Sequence, residues 1–180
     1  SHDGKEATSL DFQRVTWGGC NYVGIPDAYA SQPTPTGTGL WMMDLTTGST
    51  KLLASLKYMA DLPNSKYTAS AGNLYVFQTD WSHTDKRVSV HLKGSAGTTF
   101  TRSLTMTRTG TDIRYLAELG HQDWIDDTTK VGGAPWCTSK DDNLQRTTAL
   151  PGGAKNHPDI ECFGGTLKDW VLCDNYPYPY

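Results

Sequence analysis

Six tryptophans and four cysteines carry most of the chemistry this chain can offer. An indole exposed in a loop stacks on the apolar face of a sugar ring, while nearby Asp or Asn side chains bind its hydroxyls. Trp124 and Trp136 stand in loop-rich surroundings and take that role, whereas Trp41 and Trp170 fall at strand positions and read as core. Arg108 and Arg114 are placed to grip carboxylates through forked, charge-assisted hydrogen bonds. A solvated strand face is their default, as it is for Lys86 and Arg87.

Cys20, Cys137, Cys162 and Cys173 form no Cys-x-x-Cys pair and no zinc spacing, so they read as two disulfides of an oxidising compartment. Four cysteines allow three connectivities. The favoured one joins Cys162 to Cys173, because residues 160–163 and 170–173 make two strands about a polar, glycine-containing turn. Cys20 with Cys137 follows by elimination, and four buried reduced thiols are the alternative.

No nucleophile motif is present. There is no Gly-x-Ser-x-Gly elbow and no phosphate-cradling glycine loop. Asp126-Asp127 and Asp141-Asp142 read as solvated turn carboxylates. His91 lies between Val90 and Leu92, which point to the opposite face, so it reads as a half-exposed strand residue. His83 falls in a polar turn.

A scaffold must hold these groups, and its signature is a phrase that occurs twice. Residues 39–49 run on to Leu53-Ala54-Ser55-Leu56, and residues 102–111 run on to Leu116-Ala117-Glu118-Leu119. Each copy reads as a strand, a Thr-Gly turn and a second strand, offset by about 62 residues, which points to repeated antiparallel sheets with function on the loops. Residues 74–77 and 88–92 are the clearest strands, joined by a polar turn over 80–86. Residues 57–65 suit a short helical turn before Pro63, and 26–39 read as a Pro/Thr/Gly-rich surface loop. Residues 130–150 read as irregular. The domain organisation is a loose polar tail over 1–8, a single all-β domain over 9–175 and an extended Tyr-Pro tail over 176–180.

Composition narrows the classes of partner. With 11% aromatic and 19% charged residues and a formal net charge of -3, the chain lacks the basic field a nucleic acid requires. No apolar run approaches the roughly 20 residues that span a bilayer. An exported chain of this kind is expected to have shed its targeting segment, and an extracellular or cell-surface location is the expectation.

Taken in order, the Trp-x-x-Asp-Leu-x-Thr-Gly hairpin, residues 102–119, Gly-His-x-Asp-Trp, His157-Pro158-Asp159 and the closing Gly-x-x-x-Asp-Trp-Val-Leu-x-Asp-x-Tyr-Pro resemble the oligogalacturonate-lyase-like extracellular β-propellers. The resemblance covers most of residues 39–177 in short pieces. It implies an all-β fold of four-stranded blades, here about four or a fragment of a longer propeller, with a β-sandwich as the alternative. It also implies a metal near His121 and His157, with Gln122 and Asp159 as oxygen donors. That donor set suits Mn²⁺ or Ca²⁺ better than a structural zinc. The cation would neutralise a uronate carboxylate and acidify the adjacent proton for β-elimination. Residues 62–67 contain no histidine where the relatives carry a His-rich segment, which leaves the base unassigned. The expected function is therefore binding of carbohydrate or metal-assisted lysis of acidic oligosaccharides. The alternative is a non-catalytic adhesive module that forms homo-oligomers through free sheet edges.

Overall fold

The polar segment 1–8, expected to be loose, instead carries the first strand of a sheet. β1 (Glu6–Ser9) pairs antiparallel with β2 (Gly39–Asp44), which pairs with β3 (Thr50–Ser55). Two distant anchors order this segment. The Asp85 carboxylate accepts the backbone N–H groups of His2 and Asp3 and bonds the His2 ring at 2.8 Å, while Glu6 pairs with Arg108 at 2.7 Å. Those donors hold Asp85 below the usual carboxylate range against the opposing effect of its burial. A one-residue composition window sees only polar side chains here, since the partners lie some eighty or more residues away in the chain.

The computed structural model describes residues 1–15, 24–63, 65–96, 100–116, 122–124, 127, 129–132, 137–140, 146–149, 160–167 and 170–175, with backbone alone for 122, 123, 129 and all those from 131 onward. The architecture is all-β and antiparallel. After β3 comes α1 (Leu56–Asp61), the short helix expected before Pro63, with the Ser55 hydroxyl capping its N-terminus through Tyr58 N–H at 3.0 Å. The second sheet is a meander of β4 (Leu74–Trp81), β5 (Arg87–Gly94), β6 (Thr101–Thr107) and β7 (Arg114–Tyr115) in chain order.

The core lies between the first sheet with α1 and one face of the second sheet. Leu40, Ala54, Leu56 and Met59 meet Leu74, Val76, Val88, Val90, Leu92, Leu104, Met106 and Tyr115 there. Alternation along β5 and β6 sends the even-numbered residues into this core and Arg87, Ser89, His91, Ser103 and Thr105 to the far face. That face is also covered. Lys130 reaches in to hydrogen-bond Ser89 at 2.6 Å, and His91 is 6% exposed with its Nε2 on the Thr101 hydroxyl and Phe77 edge-on at 6.0 Å. His91 is thus a buried residue, not the half-exposed one its strand pattern suggests, because β5 is sandwiched on both sides.

Residues 130–150, expected to be irregular, contain strands. β8 (Gln122–Trp124), β9 (Thr129–Gly132), β10 (Cys137–Lys140) and β11 (Arg146–Ala149) form a second four-stranded meander in chain order. Their brevity and Gly/Pro interruptions hide a period-two pattern. β12 (Ile160–Leu167) and β13 (Trp170–Asn175) form a hairpin whose register sets Cys162 opposite Cys173. Directly opposed antiparallel residues have Cα atoms about 4.5–5.5 Å apart, within the span of a disulfide.

Both copies of the repeated phrase are hairpin turns. Gly48 and Gly110 take the left-handed conformation, with φ of 72° and 78°, and the flanking bonds Asp44 N–H to Ser49 O and Thr107 N–H to Thr111 O close the two loops at 2.9 Å each. The first loop is one residue longer, and the Asp44 carboxylate fills it by accepting the N–H groups of Thr46 and Thr47.

The β4–β5 turn is tied to the third sheet through Asp127. Its carboxylate accepts Thr84 N–H at 2.9 Å and the Thr84 hydroxyl, and Lys86 stands 3.4 Å away. Burial pushes the Asp127 pKa up, but the donors from Thr84, Ser82 and Lys86 outweigh it and hold the group at about 2, against an ordinary 3.8. A depressed carboxylate stabilises the fold fully above its unfolded pKa and ceases to do so as pH falls through the folded one. Denaturant midpoints of the wild type and Asp127→Asn are therefore expected to differ at neutral pH and to converge between about pH 4 and pH 2. A gap that stays constant down to pH 2 would mean that the ionised form is not the one the turn holds.

Candidate functional site

A broad concavity among the described residues begins with a local turn. Asp11 accepts Gln13 N–H on its side chain at 3.0 Å and the N–H groups of Arg14 and Val15 on its carbonyl. This turn aims Arg14 inward, where it is 1% exposed, and leaves Phe12 47% exposed. The Arg14 guanidinium spends all five N–H donors on protein. Nε bonds Leu74 O at 2.5 Å, one terminal nitrogen bonds the Asp27 carboxylate and Tyr29 O, and the other bonds Gln32 O and Pro33 O. Burial pulls its pKa down while Asp27 pulls it back up. The connection over 26–39, expected to be a plain surface loop, is thereby pinned to β4 and, up to where β2 begins at Gly39, becomes a wall.

Between that wall and the 10–13 turn runs a groove of about 700 Å³, floored by the outer face of β2 and β3. Leu40 packs in the core, while Trp41, the buried Met42 and Met43 line the groove. Trp41 is half-buried and donates from Nε1 to the Thr38 hydroxyl at 3.5 Å, and that hydroxyl donates to Asp11 at 2.6 Å. Tyr29 and Ile25 form the opposite side. Tyr29 lies so close over Gly37 that a methyl there would overlap its ring oxygen. Three aromatic rings thus share one concavity with a carboxylate, a side-chain amide and a hydroxyl, namely Asp11, Gln13 and Thr38.

The residues singled out from sequence fare differently. Trp124, expected to be an exposed platform, is 1% exposed with the Lys130 ammonium 4.6 Å from its ring centroid, so it cannot receive a sugar. Trp41, expected in the core, is the indole that lines the groove. Arg108 is engaged by Glu6 and Asp3 and leans on Trp81, and Arg114 binds Asp112 at 2.6 Å, so both serve as struts among loops. His121, His157, Asp159, Trp136 and Cys20 lie outside the described residues, as do the side chains of Gln122, Cys137, Cys162 and Cys173. Among the described residues no group of three His, Cys, Asp or Glu side chains is placed to hold a metal ion. Asp11, Phe12, Gln13 and Tyr29 were not anticipated. The available signal was an Asp-Phe-Gln turn and a Tyr within a Pro-rich loop, since loops on a rigid sheet are where binding residues concentrate.

A second, polar cavity of about 140 Å³ is lined by Gln78, Thr79, Asp80, Ser89 and His91. The Ser89–Lys130 bond beside it has the look of a nucleophile and amine base. A base of that kind must be a neutral amine, yet Asp80 lies 3.6 Å and the Trp124 face 4.6 Å from the nitrogen, and both attract an ammonium. The arrangement is that of a structural cation. No helix is long and apolar enough to cross a membrane among the described residues. The chain matches no family model, no curated protein and no solved structure.

Proposed function

We propose that this chain is an extracellular glycan-binding protein that holds sugar rings in the groove over Trp41. The observation that carries the reading is the lining of that groove. Trp41, Phe12 and Tyr29 line it with aromatic surface that suits the C–H face of a pyranose, and Asp11 and Gln13 add a carboxylate and an amide for its hydroxyls. The rest of the fold supports it. Two consecutive four-stranded meanders in chain order suit a propeller-like array, and the Cys162–Cys173 register suits a disulfide of an oxidising compartment.

Isothermal titration with neutral and acidic oligosaccharides tests the proposal. Trp41→Ala is expected to weaken binding at least about tenfold, equivalent to about 1.4 kcal/mol or more, while the protein stays folded with a modestly lowered unfolding midpoint, because the ring is half-buried. Binding that survives Trp41→Ala undiminished would move the site elsewhere.

A further inference from the structure

We infer that the groove selects neutral sugars and rejects uronates, a conclusion that rests on the glycan reading of the same site. Its lining, as far as the described residues extend, contains one charged side chain, Asp11, and no Lys, Arg or His. Arg14, next to the lining residue Gln13 in the chain, has all five donors committed inward and its charge offset by Asp27 at 3.0 Å, so none is left for a ligand. Lys51 on β3 and Lys5 just before β1 are not lining residues. Residues 16–23, which join the two walls in the chain, contain no Lys, Arg, His, Asp or Glu and therefore bring no compensating cation.

A uronate carboxylate entering this groove meets the Asp11 carboxylate with no counter-charge among the described lining residues. Like charges several ångströms apart at a partly wetted protein surface repel enough to shift an equilibrium constant on the order of tenfold. A neutral pyranose has the opposite match. Its hydroxyls donate to the Asp11 carboxylate and exchange with the Gln13 amide, and its apolar face meets the aromatic rings. This preference runs against the acidic oligosaccharides that the lyase resemblance implies.

The test titrates the full chain with neutral gluco- and manno-hexasaccharides and with a hexagalacturonate. The neutral ligands are expected to bind at least about tenfold more tightly, and raising the ionic strength is expected to narrow the gap by screening. Asp11→Asn keeps an oxygen for Gln13 N–H, turns an amide N–H toward the Thr38 hydroxyl in place of the second oxygen, and removes the charge, so it should narrow the gap by improving uronate binding. Uronate that binds as well as the neutral ligands, and loses that binding in Trp41→Ala, overturns the charge selection while leaving the glycan site standing. A gap that Asp11→Asn leaves untouched also overturns it. Absence of binding for every ligand in the set sinks the glycan reading and this inference together.

Discussion

Arg14→Ala is expected to cost about 3–5 kcal/mol of stability, the largest loss from any single substitution outside the apolar core. The guanidinium is the hub of five hydrogen bonds, and four of its acceptors are backbone carbonyls at Tyr29, Gln32, Pro33 and Leu74. Removing it takes a donor from each of those carbonyls and takes the Arg14 charge from the Asp27 carboxylate, whose side chain is 3% exposed and which still accepts Tyr29 N–H at 2.8 Å. Arg14→Lys is expected to recover little, since a point ammonium has three donors and cannot span the fork. Replacing both partners, as in Arg14→Met with Asp27→Leu, removes the stranded charge and should restore part of the loss. Urea unfolding of the three variants checks this series. A cost below about 1 kcal/mol for Arg14→Ala would mean that the loop holds its place without the fork. Because the same loop carries Ile25, Ala28 and Tyr29, sugar binding should fall with it even where the variant remains folded.

Gly110→Ala should destabilise by about 2–4 kcal/mol, and Gly48→Ala by only about 1. Both glycines are left-handed, so either substitution incurs the strain of a Cβ at positive φ. The difference lies in their surroundings. A methyl on Gly48 meets open space, whereas one on Gly110 would overlap the carbonyl oxygen of Leu53 on β3. Backbone cannot swing aside as a side chain can, so the β6–β7 turn must lift from the first sheet. Calorimetric unfolding of the two variants separates the shared strain from the steric part, and equal losses would show that the contact with Leu53 is not made.

The two glycines also show how far the amino-acid order can be read unaided. Their phrase, the Thr-Gly turn between strands, identifies two hairpins because the requirement for positive φ is local to a few residues. The same holds for the Ser55-capped helix before Pro63, for β4 and β5, and for the hairpin that opposes Cys162 and Cys173. Patterns that depend on which face is covered were misread. An indole has the same letter whether a neighbouring element lies over it or not, so Trp124 is buried where exposure is expected from sequence, and Trp41 is half-buried and lines a groove where burial is expected. His91 went the same way, since alternation tells which residues share a face but not that both faces of β5 are packed.

Strand propensity, turn chemistry and cysteine spacing act over a few bonds, and they suffice to make this chain an antiparallel β protein. The groove is a different matter. It exists because one buried guanidinium gathers a carboxylate and four carbonyls from residues 13 to 60 positions away, and because three rings from separate segments come to rest around Asp11. Long-range hydrogen bonds and packing of this kind are settled only when the whole chain has folded, since the free energy that selects them resides in no one segment.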